Sequence, residues 1–302
     1  MDFVSVLRAF IAATRPLQWS KNLLVFLPLF FSANQAWSLD DVSGAMSLGL
    51  RAVAAFAIFI GLSASVYLLN DCLDVERDRA HPRKRLRPVA SGRLPVGVAI
   101  ASAATLTVVG LGAAFVLEPL FGAICLVYVL VQDAYTVRLK RIVLIDVFCV
   151  ASGFVLRVVA GAAVIEVPMS EWLYICSGLG ALFIALSKRR SELSAAGESA
   201  HRQREALEGY TLPMLDQMIA VVAASALVTY ALYTFIAESL PDNRAMLLTL
   251  PFVAFGLLRY MYLVHTRDSG ENPEEMLVRD IPLAAAVVLW IGVSAAILLV
   301  AG

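Results

Sequence analysis

The chain has 302 residues, of which 60% are hydrophobic and only 16% are charged, and its mean hydropathy is +0.79. Soluble domains carry about 25% charged residues, so a water-soluble globule, a disordered chain and a collagen-like repeat are all excluded. The 24 Lys and Arg residues balance the 24 Asp and Glu residues. The chain therefore has no net positive charge that would attract nucleic acid. The composition therefore predicts an integral membrane protein.

A membrane-spanning helix needs about 20 mostly apolar residues, and the sequence contains nine such stretches. In chain order they lie at about 19–36, 46–69, 95–117, 119–134, 143–164, 171–187, 214–237, 244–264 and 281–301. Only Glu118 and Pro119 separate the third stretch from the fourth, which predicts a tight hairpin. We therefore expect an all-α fold with nine transmembrane helices in one domain, residues 1–302.

The positions of Lys and Arg predict the orientation, because short cytoplasmic loops carry the positive excess. With the N-terminus inside, 21 of the 24 basic residues fall on the inner side or on helix ends next to it. We expect a multi-pass protein of the inner (plasma) membrane, with its N-terminus in the cytoplasm and its C-terminus outside. The inner loops 70–94, 135–142 and 188–213 carry most of the polar side chains, so a chemical function is expected on the cytoplasmic face.

The second predicted span ends in the sequence NDCLDVERD, which begins at Asn70. On a helix that turns 100° per residue, Asn70, Asp74 and Asp78 lie within about 80° of one another and form one polar stripe. Amide and carboxylate oxygens suit Mg²⁺, which takes a few carboxylates and completes its shell with phosphate oxygens and water. An ordinary solvated helix end is the alternative. A stripe of oxygen ligands where an apolar helix leaves the membrane favours a metal–diphosphate site.

A basic segment, HPRKRLRPVASG, follows directly and contains Lys84, Arg85 and Arg87. Alone, it is explained by the positive-inside rule or by contact with anionic lipid. Next to the carboxylate stripe it fits a second role, since Lys and Arg neutralise phosphate charge. The pair of acidic stripe and basic loop predicts a phosphate-binding site.

Two other inner segments carry polar residues. RPLQWSKN contains Lys21 where the first predicted span enters the membrane and is typical of an interfacial anchor. The loop after the fourth span, YTVRLK, contains Tyr135, Arg138 and Lys140. Its cations are expected from the topology, but with the tyrosine they are equally suited to a phosphate.

The fifth and sixth spans add further candidates. Asp146 and Arg157 are eleven residues apart and share one helix face within about 20°. An intramembrane arginine is costly and usually faces a cavity or a partner, so Arg157 is either a site residue or half of a structural pair with a carboxylate. The sixth span ends in SKRRSEL, where Lys188, Arg189 and Glu192 lie within about one helical turn.

These features resemble the UbiA superfamily of intramembrane prenyltransferases. The resemblance rests on the nine spans, the NDxxDxxxD motif from Asn70 to Asp78 and the basic inner loops, and it covers nearly the whole chain. It implies a helical bundle with a central cavity and a diphosphate bound through Mg²⁺ at the cytoplasmic mouth. A second aspartate-rich motif is usual after the sixth span, and here that position reads SKRRSEL, in which Glu192 is the single acid.

Fewer acids and more cations suggest a substrate with an additional phosphate. With RPLQWSKN, HPRKRLRPVASG and YTVRLK, this pattern resembles the phosphoribosyltransferase branch of the superfamily, which supplies precursors of cell-wall arabinan (arabinogalactan and lipoarabinomannan). It implies that 5-phosphoribosyl 1-diphosphate (PRPP) and decaprenyl phosphate, or another polyprenyl phosphate, give decaprenylphosphoryl 5-phosphoribose and diphosphate. The implied partners are these substrates, Mg²⁺ and membrane lipid, without nucleic acid; a homo-oligomer stays open.

The resemblance also implies residue roles. Asn70, Asp74 and Asp78 are expected to hold Mg²⁺ on the leaving diphosphate, and Asp74, Asp78 and Lys84 are the expected catalytic residues. The expected substrate-binding residues are Lys21, Asn70, Arg85, Arg87, Tyr135, Arg138, Lys140, Asp146, Arg157, Lys188, Arg189 and Glu192.

Two other functions stay open at this point. An aromatic prenyltransferase of the same fold would use a polyprenyl diphosphate donor, and the missing second aspartate motif argues against it. A membrane transporter is the alternative from a different class. Transporters often carry ionisable residues at mid-membrane, whereas here the polar groups gather on one face and Arg157 is the single clear deep charge.

Overall fold

The computed structural model of the chain describes residues 3–82, 84–168, 170–196, 205–237, 240, 243–267 and 273–300. In these ranges the regular structure is helical, which confirms the predicted all-α class. The α-helices are α1 (Phe3–Ala13), α2 (Leu27–Phe31), α3 (Val42–Leu73), α4 (Val75–Ala80), α5 (Val96–Leu117), α6 (Pro119–Val137), α7 (Ile145–Val164), α8 (Glu171–Ala196), α9 (Leu212–Ile236), α10 (Leu250–Arg267), α11 (Pro273–Arg279) and α12 (Ile281–Val300). Short 3-10 helices cover Pro16–Phe26, Lys84–Leu86, Leu139–Arg141, Glu205–Gly209 and Ala245–Thr249.

Side-chain caps fix the start of several long helices. Asp41 caps α3 by accepting a hydrogen bond from the backbone N–H of Gly44 (3.0 Å), and this bond lowers the pKa of the Asp41 carboxyl. Glu118 accepts one from the N–H of Phe121 (2.8 Å) at the start of α6. Pro119 opens α6 because its fixed φ suits the first helical position and its missing N–H costs nothing there. These caps produce the tight α5–α6 hairpin that the sequence predicts.

Seven segments of the described chain are long and apolar enough to cross a membrane. They are Val42–Leu73, Val96–Leu117, Pro119–Val137, Ile145–Val164, Leu212–Ile236, Ala245–Thr266 and Ile281–Val300. The chain is thus a multi-pass membrane protein. The predicted count of nine is compatible with this fold but not confirmed. The first predicted span is divided between the 3-10 helix at 16–26 and α2, and the sixth lies in α8, which continues through charged residues to Ala196.

The bundle is organised around α7, which contacts α3, α6, α8 and the 3-10 helix at 16–26. One apolar core joins α3, α6 and α7 and includes Phe59 and Phe121. A second core joins α7 to α8, α9 and α10. At Gly161 the 3-10 helix comes so close that an added Cβ would lie 2.1 Å from the carbonyl oxygen of Val25, so only glycine permits this approach. The polar residues of α7 consequently face several neighbouring helices at once.

Candidate functional site

The acidic motif lies across a break between two helices. α3 ends at Leu73, Asp74 lies between the helices with φ −96° and ψ 9°, and α4 begins at Val75. The expectation of one uninterrupted helical stripe is therefore wrong. Asn70 and Asp74 bind one cation, whereas Asp78 binds another.

The first of these cations is Lys140, on the 3-10 helix between α6 and α7. Its ammonium lies 2.9 and 2.7 Å from the two carboxylate oxygens of Asp74 and 3.4 Å from the amide oxygen of Asn70. The Lys140 side chain is only 10% exposed, so the charge is largely removed from water and depends on these oxygens. Sequence reasoning selected all three residues as site candidates, and the structure brings them together.

The second cation, Arg87, joins two buried carboxylates. Its Nη1 lies 2.7 Å from Asp78 Oδ2 and 3.2 Å from Asp71 Oδ1. Asp71 also accepts a hydrogen bond from Arg15, which precedes the 3-10 helix at 16–26 and has a left-handed backbone. We call these seven residues the acid–base cluster: Arg15, Asn70, Asp71, Asp74, Asp78, Arg87 and Lys140. Three carboxylates face three cations in it.

Sequence reasoning missed two members of the acid–base cluster. Asp71 lies beside Asn70 in the motif but falls off the predicted stripe, and Arg15 was interpreted as part of an interfacial anchor. A signal was present, since a carboxylate at the end of an apolar helix requires a cation. Because that cation lies 56 residues away in the chain, local spacing could not identify it.

A second polar group forms where α7 meets α8. Arg189 is buried and donates from Nε to Asp146 Oδ2 at 2.6 Å; it also binds Glu192, one turn further along α8. Tyr135 from α6 lies 3.4 Å from Arg189 Nη2. This group, which we call the Asp146–Arg189 cluster, occupies the position of the SKRRSEL segment. Four predicted site residues meet in it.

Tyr210 completes the Asp146–Arg189 cluster and was not predicted. Its hydroxyl donates to Asp146 Oδ1 (2.8 Å) and accepts from the backbone N–H of Leu144 (2.7 Å). Leu144 has φ 66°, a left-handed conformation that is a clear outlier for a bulky residue. Burial raises the pKa of the Tyr210 hydroxyl, and the neighbouring Asp146 adds to the shift. The neutral hydroxyl therefore remains the donor to Asp146. Residues 197–204 of the predicted loop 188–213 lie outside the described residues.

Arg157 lies deeper in the bundle and does not contact Asp146. Its guanidinium binds four oxygen acceptors, which are the carbonyl of Gly153, the amide oxygen of Asn22 and the hydroxyls of Ser63 and Tyr128. None of the described residues supplies Arg157 with a carboxylate partner. The structural ion pair that the sequence left open is therefore absent from the described part of the chain.

The remaining predicted residues lie around these groups. Arg85 and Arg138 are exposed, and Lys84 and Lys188 are half-buried. Lys21 lies with its ammonium 5.8 Å from the ring centre of Phe154 on α7. Their roles in binding stay predictions.

The oxygen ligands of the acid–base cluster are of the kind that binds a divalent cation such as Mg²⁺. Among the described residues, no group of three or more His, Cys, Asp or Glu side chains converges to hold a metal ion by itself. The amide oxygen of Asn70 and both oxygens of Asp74 nevertheless surround one cation, the Lys140 ammonium. Mg²⁺ commonly takes one or two protein carboxylates and completes its shell with substrate phosphates and water. The set fits an ion that arrives with a diphosphate.

Comparison with known proteins decides the family. The model of the UbiA prenyltransferase family matches residues 42–281. The chain belongs to this family. Among UbiA-family relatives, it is 34% identical over 293 residues to the decaprenyl-phosphate phosphoribosyltransferase of Mycolicibacterium smegmatis, covering 93% of this chain and 90% of that protein. It is 32% identical over 286 residues to the protein of the same name from Corynebacterium glutamicum, covering 93% and 84%.

Solved structures agree on the UbiA fold. A UbiA homologue from Archaeoglobus fulgidus, bound to GPP and Mg²⁺, superposes with a TM-score of 0.72 over 96% of this chain and 99% of that one. The sequence identity is 18%, so this likeness concerns the fold alone. The predicted resemblance to the superfamily is confirmed.

Proposed function

We propose that the chain transfers the 5-phosphoribosyl group of PRPP to decaprenyl phosphate, or another polyprenyl phosphate, and releases diphosphate. The product would be a precursor of cell-wall arabinan. The relatives that carry this activity in their names cover 93% of the chain, and the arrangement of charges around the acidic motif suits the same chemistry.

One observation carries the proposal within the structure. Where a second aspartate-rich motif is usual for the superfamily, α8 carries the cations Lys188 and Arg189 and a single acid, Glu192. A prenyl diphosphate and an aromatic acceptor without a phosphate would bring one phosphate-bearing group to the site. PRPP and a lipid phosphate bring three, and additional cations offset that charge.

The reaction needs little covalent chemistry from the protein. An oxygen of the lipid phosphate attacks C1 of the ribose, the bond from C1 to the diphosphate breaks, and the diphosphate leaves with the electron pair. The attacking oxygen is already anionic near neutral pH, so no general base is required. Catalysis then depends on holding the two substrates in line and on stabilising the charge of the leaving group.

The acid–base cluster would bind the leaving diphosphate. Asn70 and Asp74, together with Asp78 of the same motif, would hold Mg²⁺, which supplies neutralisation of the developing diphosphate charge when bound. Lys140 is poised to exchange the Asp74 carboxylate and the Asn70 amide for phosphate oxygens, because its ammonium already lies between these two residues. Lys84, Arg85 and Arg87 would hold the remaining phosphate oxygens.

The proposal places the site on the cytoplasmic face of the inner (plasma) membrane. Support comes from the distribution of Lys and Arg, which puts the N-terminus inside and the C-terminus outside. PRPP is a soluble, highly charged sugar that cannot cross a bilayer, so its site must open to the compartment that contains it. Labelling of single cysteines placed at exposed residues of each loop, from one side of sealed vesicles, tests this orientation.

The function is tested with purified full-length protein in detergent. PRPP labelled in the ribose is incubated with decaprenyl phosphate and Mg²⁺, and the lipid is then extracted into organic solvent. Label that enters the organic phase, and that is lost when EDTA removes the metal, is the expected result. Label that remains in water would contradict the proposal, and the same protein would then be assayed with a prenyl diphosphate and aromatic acceptors.

A further inference from the structure

A buried polar group surrounds Arg157 about three helical turns inside the bundle. Asn22, Ser63, Tyr128 and Arg157, which we call the buried arginine cluster, come from four different elements: the 3-10 helix at 16–26, α3, α6 and α7. Arg157 donates from Nε to Asn22 Oδ1 at 2.7 Å and from Nη2 to Ser63 Oγ at 3.0 Å and Tyr128 OH at 2.8 Å. All four residues are buried, and the most exposed of them, Arg157, is only 5% exposed.

The buried arginine cluster carries a positive charge and spare donors. A buried ion without a counter-ion is strongly unfavourable, and Arg157 has only neutral oxygen acceptors among the described residues. The guanidinium has five N–H groups, four of which are used. The amide nitrogen of Asn22 is fully buried and has no hydrogen-bond partner in the described part of the chain. An anion would neutralise the charge of Arg157 and would accept hydrogen bonds from its remaining N–H group and from the amide nitrogen of Asn22.

The cluster lies directly below the acid–base cluster. Ser63 precedes Asn70 by seven residues on α3, so both face the same side of the helix, about 10 Å apart along its axis. The two clusters are therefore stacked along α3, on the side of the helix that both residues face.

The 3-10 helix that carries Asn22 forms one wall of the buried arginine cluster, and its geometry suits a movement that would open the cluster. It is an 11-residue 3-10 helix, and 3-10 runs longer than three or four residues are uncommon because their hydrogen-bond geometry is poorer than that of an α-helix. Lys21, next to Asn22, lies over the ring of Phe154 on the neighbouring α7. A small shift of this wall would admit a ligand from the acid–base cluster.

We propose that the buried arginine cluster is a subsite for a phosphate monoester, whose oxygens accept hydrogen bonds from Arg157 and from the amide nitrogen of Asn22. This inference rests on the proposed function and adds a second phosphate position to it. Two phosphate monoesters take part in that reaction, the 5-phosphate of the sugar donor and the phosphate of the lipid acceptor. Both have the chemistry that the cluster recognises.

The substitution Asn22→Asp tests the subsite. The new carboxylate has the shape of the amide, keeps an oxygen for Arg157 Nε and supplies the missing negative charge from within the chain. If the cluster were only structural, this change would leave the substrate KM values unaltered and would stabilise the fold. If the cluster binds a phosphate, the internal carboxylate competes with it and binding weakens while the fold persists.

The experiment measures KM for PRPP and for decaprenyl phosphate separately, with the thermal midpoint of each purified variant. We expect Asn22→Asp to raise one KM by roughly 10- to 100-fold, as for lost charge-assisted hydrogen bonds, with a thermal midpoint no lower than that of the original chain. Ser63→Ala should raise the same KM to a smaller extent. Ser65→Ala is the matched control on α3, because Ser65 is buried and, among the described residues, its hydroxyl binds only the carbonyl of Leu62.

Each outcome decides the proposal. An increase in KM for PRPP assigns the subsite to the 5-phosphate, and an increase for decaprenyl phosphate assigns it to the lipid. Unchanged values for both overturn the subsite, whatever happens to kcat. If the original chain transfers no label, the proposed function fails, and equilibrium binding of ribose 5-phosphate and decaprenyl phosphate to the original chain and to Asn22→Asp still tests the subsite. Equal affinities there overturn it.

Discussion

Lys140 and Asp74 form a close ion pair, 2.7 Å from Nζ to Oδ2, that ties the hairpin between α6 and α7 to the end of α3. The pair lies where α3 breaks, so the carboxylate belongs to neither helix and its position depends on the lysine. Asp74 is 22% exposed and Lys140 is 10% exposed, which leaves the pair accessible to a ligand from one side. This geometry makes the pair the centre of the candidate site.

Asp74→Asn should lower the rate of transfer by roughly 100-fold or more, because it removes one negative charge from the proposed metal position. The amide retains one oxygen for Lys140, so the fold should persist. The measurement is kcat with saturating substrates, together with the thermal midpoint. Glu76→Gln is the control, since Glu76 is 81% exposed and, within the described chain, pairs only with Arg79. Equal rates for the two variants would remove Asp74 from the site.

Arg87→Lys should impair the site although the charge is kept. Nη1 of Arg87 reaches both Asp71 and Asp78, whereas the ammonium of a lysine is held on a shorter, flexible stem and is more strongly hydrated, so it is less suited to a partly buried bridge. We expect a reduction of activity by about 10-fold and a loss of stability of about 1–3 kcal/mol. Arg79→Lys, at an exposed position, should change neither. Activity of Arg87→Lys equal to that of the original chain would show that the bridge is dispensable.

Asp146→Asn should destabilise the fold, because it leaves the buried guanidinium of Arg189 with Glu192 as its one remaining carboxylate among the described partners. Breaking a buried ion pair costs about 3–5 kcal/mol. Thermal unfolding in detergent measures the loss. Asp216→Asn is the comparison: Asp216 is 36% exposed and pairs with Arg190 and His265, so its substitution should cost about 1 kcal/mol or less. Similar losses for both would contradict the importance that we assign to burial.

Tyr210 predicts a specific alkaline instability. Burial raises the pKa of its hydroxyl above the ordinary value of 10.0, and the hydrogen bond to Asp146 contributes. The folded chain therefore holds this proton more tightly than the unfolded chain, so the stabilisation is complete below about pH 10 and is lost as the pH rises further. The thermal midpoint of the original chain should fall more steeply above this pH than that of Tyr210→Phe. If the thermal midpoints of the two proteins fell in parallel with pH, the Tyr210 proton would make no contribution to stability.

Much of the fold was predictable from local pattern. The boundaries of α5, α6 and α12 follow from runs of about 20 apolar residues ended by charges or prolines, because a bilayer accepts little else. The first predicted span, 19–36, was different, since it is apolar enough by composition but contains Pro28 and is divided between a 3-10 helix, which begins at Pro16, and α2. Hydropathy measures transfer into lipid and does not detect this change of helix type.

The amino-acid sequence alone determined the membrane class, the resemblance to the UbiA superfamily and the selection of Asn70, Asp74 and Lys140, because these depend on composition and on short-range spacing. The tertiary structure decided which charged and polar side chains bind one another. Arg15 reaches Asp71 across 56 positions, Lys140 reaches Asp74 across 66, and Arg157 reaches Asn22 across 135. A buried charge takes whichever partner the packing of helices brings within hydrogen-bond distance, and that choice is made between elements rather than along any one of them.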